Sequence, residues 1–116
     1  MKDEFLDYVE DILDAMDKAE ILLADVTFEQ FEGDFRIHYA VVRALEIIGE
    51  ATKRLSSSLC EQYPSIPWRG MAGMRDRIIH GYDSVDMEIV WNTVKEIVPS
   101  VRPLIEQILV DHQRTD

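Results

Sequence analysis

Phe5, Val9, Ile12, Met16, Ala19 and Leu23 recur at spacings of 4, 3, 4, 3 and 4 residues. An α-helix turns once every ~3.6 residues, so this interval keeps six apolar side chains on a single stripe. A half-buried strand would need an alternation of two instead. The spacing predicts a helix from about Asp3 to Ala24, with Asp7, Asp11, Asp14 and Asp17 mainly away from the stripe.

A second long helix is expected to start near Phe28 or Asp34 and to run to about Leu59. His38, Val41, Leu45, Ile48, Thr52 and Leu55 mark one face, and Ala40, Ala44, Ile47 and Ala51 mark another. A helix apolar on two sides is buried on two sides. This one is expected to pack in its own bundle and against a second copy of the chain. Gly49 lies in its middle, at a cost of roughly 1 kcal/mol relative to alanine, which a close helix approach would justify.

The run Tyr63-Pro-Ser-Ile-Pro-Trp68 interrupts the pattern, because proline is excluded from a helix interior but suits a first turn. A short third helix is predicted from Pro67 or Trp68 to His80, stopped by Gly81. A fourth follows, capped by Asp83 or Ser84, with Asp86 and Glu88 in its first turn and its end near Pro99. A fifth runs from about Ser100 to His112, with Pro103 in its first turn. The expected fold is therefore all-α: an up-and-down four-helix bundle with one additional short helix, in a single domain over residues 1–116.

Charge narrows the function classes. The net charge of −11 argues against whole-surface attraction to nucleic acid. Residues 1–34 carry −10, residues 35–81 carry +3 and residues 82–116 carry −4, so the middle segment alone is positive. The acidic first helix reads foremost as a solvated face, with a basic partner protein as the other option. No apolar run approaches the roughly 20 residues of a membrane span. The acidic, amphipathic start MKDEFLDYVEDILD is neither a signal nor a transit peptide. With the lone Cys60 it points to the cytoplasm.

Several chemistries lack their signatures. No glycine-rich phosphate loop is present. Cys60, His38, His80 and His112 have no zinc-ligand spacing. The pairs Asp83/Asp86 and Asp14/Asp17 could hold a divalent cation, but they read better as helix caps and a solvated face. No cofactor and no metal are expected.

The concentration of chemistry lies in MRDRIIHGY, residues 74–82. Arg75 offers fixed charge and a bidentate fork for phosphate, and His80 can pass protons near neutral pH. Asp76 could orient an arginine or hold the imidazole in one tautomer. In a continuous helix Arg75 and His80 would stand about 140° apart. A helix end at Gly81, or a cleft between two chains, would gather them. Taken singly, His80 reads as a C-terminal residue meeting the helix dipole. Tyr82 reads as packing, Arg75 and Arg77 as solvent or ion-pair residues, and Trp68 and Trp91 as core anchors.

The wider stretch RGMAGMRDRIIHGYDSVDMEIVW resembles the signature region of the HepT family, toxin members of the HEPN superfamily. The family motif, Arg-x4-His-x-Tyr, falls on Arg75, His80 and Tyr82; Asp76 stands where the family often has Asn. RALEIIGEATKRLS (43–56), YPSIPW (63–68) and VDMEIVW (85–91) are also similar to the family, so the likeness covers nearly the whole chain.

The resemblance implies a metal-independent endoribonuclease acting as a homodimer, with a composite cleft. Arg75 and His80 would be catalytic, and Asp76 and Arg77 supporting. The route, attack by the ribose 2′-OH, requires RNA. It further implies the toxin half of a type VII, HepT/MntA-type toxin–antitoxin system. The antitoxin partner, a minimal nucleotidyltransferase, would transfer AMP onto Tyr82. The rival reading is a non-catalytic substrate-binding or adaptor subunit of a nucleotidyltransferase, motivated by the net charge of −11. A purely structural dimer module is the third.

Overall fold

The structure, a computed structural model, describes residues 4–79 and 84–112. The first stripe folds as expected. Helix α1 (Glu4–Leu23) buries Val9, Ile12, Met16, Ala19 and Leu23 completely or nearly so, while Asp7, Asp11, Asp14 and Asp17 are exposed.

The long second helix is in fact three. Thr27 and Gln30 form a reciprocal capping box that starts α2 (Phe28–Gly33). Asp34 then adopts an extended backbone and caps α3 (Phe35–Lys53) by accepting from the Arg36 N–H. Ser56 caps α4 (Ser57–Glu61). Each side-chain oxygen satisfies an N–H that the helix start leaves without an intrahelical partner, so each restart is stabilised locally.

The predicted third helix also divides. α5 (Trp68–Ala72) ends at Gly73, and α6 (Met74–Ile78) follows at once. The expected extension to His80 and stop at Gly81 is overturned, because Ile79 is already extended. The cap of the next helix is Asp86 rather than Asp83 or Ser84: its carboxylate accepts from the Ile89 N–H at 3.1 Å.

The expected break at Pro99 does not occur. α7 (Met87–Asn92) passes through a π-helical turn (Thr93–Ile97) into α8 (Val98–Asp111). Pro99 lacks the N–H that an α-helix would use. The wider turn ahead of it re-registers the hydrogen bonds; Pro103, expected in a first turn, lies instead inside α8. Among the described residues three long segments, α1, α3 and the rod of α7, the π turn and α8, pack with short accessory helices in an all-α bundle, so the helices expected as separate fourth and fifth members are one. Among the described residues no strand occurs, and one isolated antiparallel bridge joins Ile79 to Val85.

α1 and α3 run antiparallel. Tyr8 and Asp11 lie beside Glu50 and Arg54, and Leu22 lies beside Ala40. α8 runs back along α1, where Arg102 bonds Asp17 and Glu20 and the Phe5 ring meets His112. Lys95, in the π turn, donates to the Leu23 carbonyl at 3.0 Å and lies over the Trp91 ring, capping the C-terminus of α1. Trp91 packs against Phe28 and Phe31, and the Trp68 indole donates to the Cys60 and Tyr63 carbonyls. No helix among the described residues is long and apolar enough to cross a membrane.

Candidate functional site

Gly49 builds the platform. A Cβ there would stand 3.2 Å from the Met71 carbonyl oxygen and 3.5 Å from that of Ala72. Its absence lets the backbone of α5 lie directly on α3, the close approach that the mid-helix glycine forecast. α6 follows α5 without a loop and is anchored by the buried Met74 and Ile78. That i,i+4 pair occupies one side of a five-residue helix, so Arg75, Asp76 and Arg77 are all exposed.

The anchoring continues past the helix. Ile79 bridges to Val85, and the Asp86 N–H donates to the Ile78 carbonyl at 2.8 Å. Asp86 itself is held as the cap of α7. The residues on either side of His80–Asp83 are thus bonded to each other. His80 and Tyr82 themselves lie outside the described residues, as does Asp83. Because the helix ends at Ile78, helical rotation no longer sets the angle between Arg75 and His80, and the five-residue spacing loses its force as an objection.

Arg75 reaches across to α3. Its Nε donates to Glu46 Oε2 at 3.3 Å, while Oε1 of the same carboxylate lies 3.6 Å from Arg43 Nη1. Arg43 also meets Glu50 at 3.4 Å. Glu46 escaped the sequence reading: it is 29 residues from Arg75, and no local pattern links them. The one usable signal was Gly49, which marks where the segment following Trp68 comes down on α3.

Asp14, Asp17 and Asp86 take structural roles, and Asp83 lies outside the described residues. Asp14 pairs with Lys18 at 2.9 Å, Asp17 pairs with Arg102, and Asp86 caps a helix. Among the described residues no group of three or more histidine, cysteine or carboxylate side chains could hold a metal ion.

Apolar side chains are also exposed on α1 and α3. Ile21, Phe35 and Tyr39 are 71%, 66% and 71% exposed, and Phe35 and Tyr39 stack edge-on at 5.9 Å. Beside them Ala15, Leu22, Ala40 and Ile47 line an apolar groove between α1 and α3, with Arg43 on its rim. Of the second face expected for α3, Ala44 and Ala51 are buried and Ala40 and Ile47 half-buried, while Phe35 and Tyr39 near the start of the helix are exposed. Arg43 and Glu46 follow further along α3, toward Arg75.

Comparison with known proteins gives a consistent result. The family described as ribonuclease HepT-like matches residues 12–108. The probable ribonuclease HepT of Thermococcus cleftensis is 44% identical over 108 residues, covering 93% of this chain and 98% of that protein. A candidate RNase of Methanocaldococcus jannaschii is 41% identical over 104 residues, or 90% of each chain. Another, from Caldanaerobacter subterraneus subsp. tengcongensis, is 37% identical over 102 residues, covering 88% of this chain and 91% of its own. No solved structure matches.

Proposed function

The chain belongs to the HepT-like ribonuclease family, and from that premise we propose that it is a metal-independent endoribonuclease, active as a homodimer and serving as the toxin of a toxin–antitoxin pair. The observation that carries the reading is the display of Arg75 on an exposed, firmly based helix, just before the bridged Ile79 that precedes His80 and Tyr82 in the chain.

In the proposed reaction Arg75 binds the scissile phosphate and the charge that develops on it. His80 moves a proton as the ribose 2′-OH attacks phosphorus. The P–O5′ bond breaks, the 5′-oxygen leaves with a proton, and a 2′,3′-cyclic phosphate remains. DNA lacks the attacking hydroxyl and is not cut. Asp76 and Arg77 add a local dipole and a further cation at the same turn. The exposed Ile21 of α1 and the exposed Phe35–Tyr39 pair of α3 support self-association, since exposed apolar surface marks an interaction site. A second copy there would lie along the helix that holds Arg75 through Glu46.

Control falls to Tyr82. A minimal nucleotidyltransferase would transfer AMP from ATP to its phenolic oxygen and release pyrophosphate. The added phosphate and nucleotide would crowd the arginines of the cleft. Intact-mass spectrometry after incubation with ATP and the partner enzyme is expected to show added adenylyl mass in the wild type and none in Tyr82→Phe. Adenylyl mass persisting in that variant would remove Tyr82 from this role. The net charge of −11 keeps the adaptor reading as the rival. Tight partner binding without cleavage of any of several RNAs would favour it.

A further inference from the structure

Arg75 stands on a helix of five residues, and its side chain is 59% exposed. Such a side chain samples many rotamers, and a phosphate-binding arginine is effective only when its fork is already aimed. Glu46 has the opposite character. It sits in the middle of the 19-residue α3, its side chain is 19% exposed, and its neighbours Leu45 and Ile48 are fully buried. One turn further on, Gly49 brings the backbone of α5 against α3 and fixes the distance between the two elements.

We propose that Glu46 is a positioning residue for the cleavage chemistry, holding Arg75 through Nε so that its terminal N–H groups face the scissile phosphate. The proposal rests on the reading of Arg75 as the phosphate-binding residue. The choice of atom matters: a bond to Nε leaves the outer pair of nitrogens for bidentate phosphate contact. The second oxygen of Glu46 faces Arg43 at 3.6 Å, so one carboxylate orders two arginines and the trio keeps a charge of +1. Glu46 touches no reacting atom in this scheme and acts only through Arg75.

The test is single-turnover and steady-state RNA cleavage by Glu46→Ala, Glu46→Gln and Glu46→Asp beside Arg75→Ala, with thermal melting as the control for folding. Glu46→Ala is expected to lower kcat about 10- to 100-fold, as misaimed groups do, with KM unchanged or lower because a negative charge has left the site. Glu46→Gln keeps an oxygen acceptor and is expected to restore most of kcat. Glu46→Asp, one methylene short of Arg75, is expected to behave like alanine. If Glu46→Ala fails to fold, the contrast between glutamine and aspartate carries the same test. Wild-type kcat in Glu46→Ala alongside an inactive Arg75→Ala would overturn the positioning role and leave the motif reading intact. A glutamine variant as impaired as alanine would also overturn it. Wild-type cleavage by Arg75→Ala would overturn both.

Discussion

At the scale of single residues, the account turns on what an arginine can do that a lysine cannot. Arg75 uses Nε toward Glu46 and keeps a planar pair of donors outward, whereas lysine is a point charge without a fork. Arg75→Lys therefore retains charge but loses the Nε bond to Glu46 and the proposed bidentate contact. It is expected to lower kcat by roughly 10²-fold, the usual cost of one transition-state donor, while RNA affinity changes little. Equal rates for the two proteins in a quench assay would contradict this. The candidate site is named from the sequence alone, because Arg, Asp, His and Tyr in nine positions admit few chemistries. The partner of Arg75 is not, since a contact across 29 residues is fixed by packing rather than by spacing.

At the scale of elements, the stripe of α1 was readable because six apolar residues share one helical period. Gly49 was readable because a mid-helix glycine needs a compensating contact, here the Met71 and Ala72 carbonyls. The helix boundaries were harder. Thr27, Asp34 and Ser56 each bond a backbone N–H and restart a helix where apolar periodicity alone runs on. Conversely, Pro99 suggested an end that a π turn avoids. Gly49→Leu tests the platform. Driving a side chain into backbone carbonyls is expected to cost ~1–3 kcal/mol of stability and to lower cleavage with it, because α5 and α6 carry Arg75. An unchanged melting midpoint would show that the approach is looser than described.

A second element-scale contact has a pH signature. Tyr63 donates to Asp111 at 2.8 Å and ties the α4–α5 connection to the end of α8. Burial first, and then the Asp111 carboxylate, pushes the Tyr63 phenol up to about 12. The folded state thus holds this proton more tightly than the unfolded chain does. The contribution is complete below the unfolded pKa of about 10 and is lost as pH rises toward 12. Melting curves should therefore show a wild-type decline between pH 10 and about 12 that is steeper than that of Tyr63→Phe. Parallel declines would mean that the phenol is not held in this way.

At the scale of the whole molecule, charge and shape separate into zones. The acidic α1 spends Asp14, Asp17 and Glu20 on Lys18 and Arg102, while the cations of residues 35–81 gather along α3 and α6. On α1 and α3, Ile21, Phe35 and Tyr39 leave apolar surface open. If two copies close over that surface, Tyr39→Glu buries an unpaired charge in the interface. Sedimentation is then expected to show a dimer for the wild type and a monomer for the variant; equal masses would place the interface elsewhere. Cleavage of RNA by Arg75 and His80 without a metal can be measured in one experiment. Purified protein is mixed with RNA in EDTA, and the product ends are identified for wild type and His80→Ala. The account predicts 2′,3′-cyclic phosphate ends from the wild type, no cleavage of the 2′-deoxy analogue, and loss of cutting in His80→Ala. Undiminished cutting by His80→Ala, or cleavage that stops when EDTA is added, would contradict it.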